Sequence, residues 1–230
     1  MQIESKFHER LHGKDVTYGR NVYDVPRLLS TPAFRRWVQR SDKSRLRVLD
    51  IGCGKGQFLF DVTETLRKQH QASFARVAVV DLVRMEGTLL DRIFPKPEFF
   101  QQSVDGQKLP FADASFDFIS CNHVLEHVFE TGKFMREIRR VMQPGGLAVI
   151  SAPKCAAWMN RIAFSFAGQP LGTEVGADPL LTVFGRDLCK IASNSLIPPA
   201  ISVISPRARC VIFQRPAVSN QRAGGRRMVD

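Results

Sequence analysis

Val48-Leu49-Asp50-Ile51-Gly52-Cys53-Gly54-Lys55-Gly56 is the stretch on which the fold turns. Leu46–Ile51 is a short, mostly apolar run, as expected of a strand buried on both faces. Glycines at 52, 54 and 56 follow at once, and then Gly56–His70 carries Phe58, Leu59, Val62 and Leu66 on one helical stripe. Strand, glycine turn and helix together open a βαβ unit, and the glycines let the backbone approach a ligand or a neighbouring segment closely.

Working outward, the chain keeps alternating. Val77–Val80 is a second apolar run ending at Asp81, and Met85–Phe94 reads as a helix stopped by Pro95 and Pro97. Glu98–Gln102 is a third strand and Phe116–Cys121 a fourth. Thr131–Met142 is a helix with Phe134, Ile138 and Val141 inward, ended by Pro144-Gly145-Gly146, and Leu147–Ser151 is a fifth strand. Short strands alternating with amphipathic helices predict an α/β, Rossmann-like doubly wound sheet, mostly parallel, with helices on both faces. Upstream, Thr31-Pro32 starts a helix with a proline in its first turn. The expected organisation is a basic helical segment over 1–45, a main domain over 46–215 with a substrate-side insertion at 153–184, and a disordered basic tail over 216–230. Within that insertion Cys155–Ala167 is apolar. Further on, Gly185–Ala192 reads as a short helix, and Ala200–Ile204 with Cys210–Phe213 as a hairpin.

The 230 residues are 44% hydrophobic and 24% charged, an ordinary globular balance that needs no disulfide or metal to stabilise a core. Five widely spaced cysteines without a CxxC pair indicate neither a zinc site nor a disulfide framework and fit a reducing, cytoplasmic setting. No apolar run reaches the length of a membrane span, and polar Met1–Arg10 does not read as a secretory signal. The net charge of +11 favours anionic partners without choosing among nucleic acid, phosphorylated or lipid-linked substrates and acidic membrane surfaces, and it equally serves solubility.

The spacing of the loop sorts its ligands. A dinucleotide fingerprint is GxGxxG, whereas residue 57 here is Gln; a P-loop needs Lys followed by Ser or Thr, whereas Gly56 follows Lys55. S-adenosylmethionine has no phosphate and presents an amino-acid end, a sulfonium, a ribose and an adenine. Asp50 at the end of the first strand would hold the loop and favour the ammonium or sulfonium. Asp81 would accept hydrogen bonds from the ribose hydroxyls. Asp105 would take the adenine amino group, with the Gly106 N–H offered to a ring nitrogen. Taken one at a time, these are also a tight turn, a solvated strand-end acid and an ordinary Asp-Gly turn. Three acids at the carboxyl ends of successive strands converge where open α/β sheets bind ligands.

Val48–Leu59, Asp105–Phe111 (DGQKLPF), Ser115-Phe116-Asp117, Asn122–Val128 (NHVLEHV) and Arg136–Ser151 (REIRRVMQPGGLAVIS) resemble the type-11 class I methyltransferases, which include the ubiquinone and menaquinone biosynthesis enzymes. The resemblance covers roughly residues 46–153. It implies a seven-stranded sheet with an antiparallel last strand and cofactor contacts at Asp50, Gly52, Gly54, Asp81, Asp105 and Gly106; Cys53, Gly56, Leu82 and Asn122 complete the candidate set for S-adenosyl-L-methionine. A weaker similarity, over Gly168–Val175 (GQPLGTEV), is to methyltransferases of surface-polysaccharide clusters.

The expected activity is methyl transfer to oxygen of a small-molecule acceptor: a saccharide, a quinone-like compound or a lipid-linked intermediate. His127, with His123 as the other candidate, follows the fourth strand and would act as base, unless it serves only in packing or capping. His123-x-x-Glu126-His127 also resembles a Glu-x-x-Glu-His metal site, but no metal is expected. The alternatives are an RNA methyltransferase, motivated by the charge, and a binding protein that kept the fold without turnover. Against the former stand the lack of an Asn/Asp-Pro-Pro-Tyr/Phe sequence, of a Pro-Cys pair and of an RNA-binding module.

Overall fold

The computed structural model describes residues 25–86, 88–153, 199–201 and 208–215. Its strands are β1 (Leu46–Ile51), β2 (Phe74–Asp81), β3 (Glu98–Gln101), β4 (Phe116–Asn122), β5 (Met142–Pro153), β6 (Pro199–Ile201) and β7 (Ala208–Gln214). Its helices are α1 (Val25–Leu29), α2 (Pro32–Arg40), α3 (Gln57–His70) and α4 (Thr131–Val141). Five strands run parallel in the order β3-β2-β1-β4-β5; β7 then lies antiparallel to β5, and β6 antiparallel to β7. After β3 the chain crosses to the far side of β1, so the strand order reverses between β1 and β4. The crevice at such a switch point, outside the strands' carboxyl ends, is where this architecture takes ligands.

Apolar side chains leave both faces of the central strands, so each face carries its own core. On one, Val48, Val77, Val79 and Phe118 meet α1, α2 and α3 through Leu28, Phe34, Trp37, Leu59, Val62 and Leu66. On the other, Leu49, Ile51, Val80 and Ile119 meet α4 through Phe134, Met135, Ile138 and Val141. α1 and α2 therefore share the sheet's core. α2 starts where its sequence says it should: Thr31 is its N-cap, taking the Phe34 N–H on its hydroxyl at 3.3 Å, and Pro32 fills the first turn.

Two expected elements differ. Met85–Phe94 does not form a helix; only Leu89–Arg92 closes a 3-10 turn. The Leu89 N–H goes instead to the Lys55 carbonyl at 3.0 Å, which ties this segment to the glycine loop, and Leu90 and Ile93 are its buried anchors. Nor does Pro144-Gly145-Gly146 end α4. The helix stops at Val141 and Met142 is already extended, pairing with Phe116. The proline-glycine stretch is a bulge inside β5 before Leu147 rejoins Phe118, with Gly145 at φ +84°. The expected features at Cys155–Ala167, Gly168–Val175, Gly185–Ala192 and 216–230 lie outside the described residues.

Candidate active site

The loop after β1 has Gly52, Gly54 and Gly56 all in the left-handed region, at φ +71°, +49° and +77°. Their surroundings differ. A Cβ on Gly52 would sit 2.1 Å from Cγ2 of Val124, so this glycine makes room for the segment after β4. A Cβ on Gly56 would sit 2.5 Å from Cδ2 of Leu90, so that glycine admits the segment after β2. A Cβ on Gly54 would meet nothing within 4 Å. The middle of the loop thus faces open space, as a backbone that must lie against a ligand requires.

Asp81 at the end of β2 holds this loop. One carboxylate oxygen accepts the Gly54 N–H at 2.9 Å and the other the Leu82 N–H at 2.7 Å, with Cys53 Sγ 3.6 Å away. The expectation that Asp50 holds the loop is corrected. Asp50 is 2% exposed beneath the loop, and its described side-chain bond is from the Ser120 hydroxyl at 2.6 Å, across the β1–β4 pair. Burial pushes its carboxyl up to about 7; nearby Asp81 pushes the same way, and the Ser120 hydrogen bond opposes them. The thiol of buried Cys53 is pushed up strongly by burial and then by Asp50 and Asp81, which disfavours its thiolate form.

Asp105 and Gly106 follow β3 in a turn with Gly106 at φ +67°. One Asp105 oxygen accepts the Glu130 N–H at 2.9 Å, which joins the turn to the approach to α4. The rest of the connection is pinned by Arg140 of α4, which donates to the Phe111 carbonyl at 2.7 Å, the Leu109 carbonyl at 3.0 Å and Glu137 at 2.7 Å. Phe111 stacks edge-on between Phe100 and Phe116, each 4.8 Å away, beneath the Arg76 guanidinium.

Asn122 ends β4 and is 7% exposed. Its Oδ1 accepts the Ser151 hydroxyl at 2.8 Å from the paired position on β5, and its Nδ2 has no hydrogen-bond partner among the described residues. Ser151 therefore orients the amide and leaves a buried donor unused, an arrangement that calls for a ligand or a water. His123 follows at φ +55°, its N–H given to the Ser151 carbonyl at 3.0 Å. His127 ends the 3-10 turn Leu125–His127 and is exposed, neither packed on the sheet nor capping a helix through a described bond. Among the described residues no group of three His, Cys, Asp or Glu side chains is arranged to hold a metal. The sequence did not reveal Ser120, Ser151 or Val124; the first two stand out only as hydroxyls flanked by apolar residues.

A glycine loop with an open centre, an acid ending β2 and another in the turn after β3 lie beside the switch point, where open α/β sheets take ligands. Residues 49–150 match the family model described as a methyltransferase domain. A Mycobacterium tuberculosis protein named "Probable S-adenosylmethionine-dependent methyltransferase" is 31% identical over 118 residues, 51% of this chain and 37% of its own. The mitochondrial ubiquinone biosynthesis O-methyltransferase of Schizosaccharomyces pombe is 30% identical over 121 residues, 53% of this chain and 42% of its own. The chain thus spans less than half the length of these curated relatives. The solved structure of a SAM-dependent methyltransferase from Aquifex aeolicus superposes with a TM-score of 0.54 at 18% identity, covering 83% of this chain and 93% of that one, and so shares the fold.

Proposed function

We propose that this chain is an S-adenosyl-L-methionine-dependent methyltransferase acting on oxygen of a small-molecule acceptor, of quinone-like or lipid-linked chemistry. The observation that carries the reading is the Asp81 carboxylate: it joins the Gly54 amide to β2 while still partly exposed, so one group shapes the loop and offers lone pairs to a ribose. The candidate residues fit such a cofactor, because a Cβ at Gly54 meets nothing and Asn122 Nδ2 is an unfilled donor. Asp81 would hold the ribose and Asp105 with Gly106 the adenine, and the Gly52–Gly54 backbone would face the amino-acid end. Once bound, the cofactor supplies an activated methyl group on a sulfonium.

Strand order supports a position for the acceptor. With Asp105 after β3 holding the adenine, Asp81 at the end of β2 the ribose and the loop after β1 the amino-acid end, the acceptor would be met by the residues that follow β4 and β5. His127 sits on the segment after β4, with an exposed imidazole able to take the acceptor's hydroxyl proton on a ring nitrogen. Asn122, turned by Ser151, offers Nδ2–H to an oxygen on the same side. The chain's contribution is positioning and exclusion of water.

Calorimetric titration with S-adenosylhomocysteine tests the cofactor half. The wild type binds, and Asp81→Ala weakens binding at least tenfold, about 1.4 kcal/mol; absence of wild-type binding overturns the reading. For the acceptor half, His127→Ala lowers cofactor turnover in an acceptor screen while leaving the S-adenosylhomocysteine affinity within about twofold. Unchanged turnover removes His127 from the reaction.

A further inference from the structure

α2 presents one continuous cationic face. Ala33, Phe34, Trp37 and Val38 point into the core, and Arg35, Arg36 and Arg40 share the opposite, exposed arc with Gln39. The following turn adds exposed Arg45. The helix has no acidic residue in its first turn, where the helix dipole rewards one. Elsewhere in the described structure arginines meet carboxylates, as in Arg47–Asp117 at 3.0 Å, Arg76–Glu98 at 2.6 Å and Arg140–Glu137 at 2.7 Å. Among the described residues, the guanidinium groups of Arg35, Arg36, Arg40 and Arg45 have no carboxylate within ion-pair distance and no other bonded partner. The neighbouring acid, Asp42, accepts the Ser44 amide and hydroxyl at 3.0 and 2.6 Å and interacts electrostatically with Arg45, so the uncompensated cations are Arg35, Arg36 and Arg40.

We propose that this face of α2 docks the protein on an anionic phospholipid surface, delivering the enzyme to an acceptor that resides there. The proposal rests on the lipid-linked or quinone-like reading of the acceptor. Charge complementarity selects the partner: several uncompensated cations on a rigid helix face are attracted to anionic headgroups, each adding to the binding. The apolar side of α2 is committed to the core, so adsorption is electrostatic and needs no helix insertion. A single-stranded RNA surface would interleave aromatic rings with its cations to stack bases. The exposed large hydrophobic residues of the described structure are Phe94 and Phe129, both outside this face.

Co-sedimentation of the full chain with vesicles tests the proposal. Vesicles of phosphatidylcholine mixed with phosphatidylglycerol capture the protein, and pure phosphatidylcholine vesicles do not. Capture is lost between about 0.1 M and about 1 M salt, as the screening length shrinks from about 10 to about 3 Å. The exposed triple variant R35E/R36E/R40E needs at least about a hundredfold more lipid for half-capture, with its thermal midpoint and S-adenosylhomocysteine affinity unchanged. Equal capture by both vesicle types, unaltered capture of the variant, or charge-dependent binding of a polyuridylate RNA with no capture by vesicles each overturns the docking proposal. A wild type that binds vesicles but no S-adenosylhomocysteine leaves the docking intact and defeats the cofactor reading, so the two failures are separable.

Discussion

Asp50 is a carboxylate placed where a charge is costly, and the protein's stability should register it. Its folded pKa stands near 7 against an ordinary value of 3.8, so between those limits the native state keeps a proton that the unfolded state has released. Stability therefore falls as pH rises through this window, by up to about 4 kcal/mol, and levels off above it. Denaturation in urea at a series of pH values checks this, and Asp50→Asn should flatten the slope. The glycines make a second residue-scale test. Gly54→Ala meets no atom and costs stability only through its left-handed backbone, about 1 kcal/mol, yet it should weaken S-adenosylhomocysteine binding more than tenfold. Gly52→Ala collides with Val124 and should cost about 2 kcal/mol or more, part of which Val124→Ala restores because the three nearest neighbours of the new methyl belong to that side chain.

At the scale of elements, α4 shapes the connection between β3 and β4 that carries Asp105 and Gly106. Its Arg140 gathers the carbonyls of Leu109 and Phe111 while Glu137 takes the Leu109 N–H at 2.9 Å, so the chain between β3 and β4 takes its shape from one turn of helix. Both side chains are less than a fifth exposed, at 17% and 18%, which makes the pair worth more than an open surface bridge. Arg140→Met should destabilise the protein by about 2 kcal/mol and also weaken cofactor binding, measured by melting and calorimetry on the same samples. The pH sign is opposite to that of Asp50. The Arg140 hydrogen bond, aided by the Leu109 N–H against a burial penalty, holds the Glu137 carboxyl below its ordinary value of 4.5. Its contribution is full above that value and is lost as pH falls through the lower folded pKa.

Across the described structure, the N-terminal helices share a core with the sheet and should unfold together with it. Trp37 lies 5.5 Å from both Phe34 and Phe118, so α2 is joined to the centre of β4 by an aromatic cluster that is at most 1% exposed. In a Trp158→Phe background, Trp37 fluorescence and far-UV circular dichroism should lose their signals in a single shared transition. An earlier loss of the Trp37 signal would make α2 an appendage and overturn this. Phe118→Ala, emptying the middle of that cluster, should cost about 3–5 kcal/mol.

The amino-acid sequence by itself determined the parallel strands, the glycine loop and the acids at the end of β2 and in the turn after β3. These are local features: an apolar run, a glycine spacing and a polar residue at a strand's end each act over a few neighbouring residues. The tertiary structure decided which acid does what. Asp50 and Asp81 look alike in sequence, yet register buries the first against Ser120, 70 residues away, and sets the second against the Gly54 amide. It likewise paired Asn122 with Ser151 and left Nδ2 free, because the match depends on how β4 and β5 align. It also overrode the helical pattern of Met85–Phe94, whose Leu89 amide found the Lys55 carbonyl of the glycine loop instead of a helical partner. Hydrogen bonds and burial between distant segments have no signature in either segment alone, which is why these assignments waited for the folded chain.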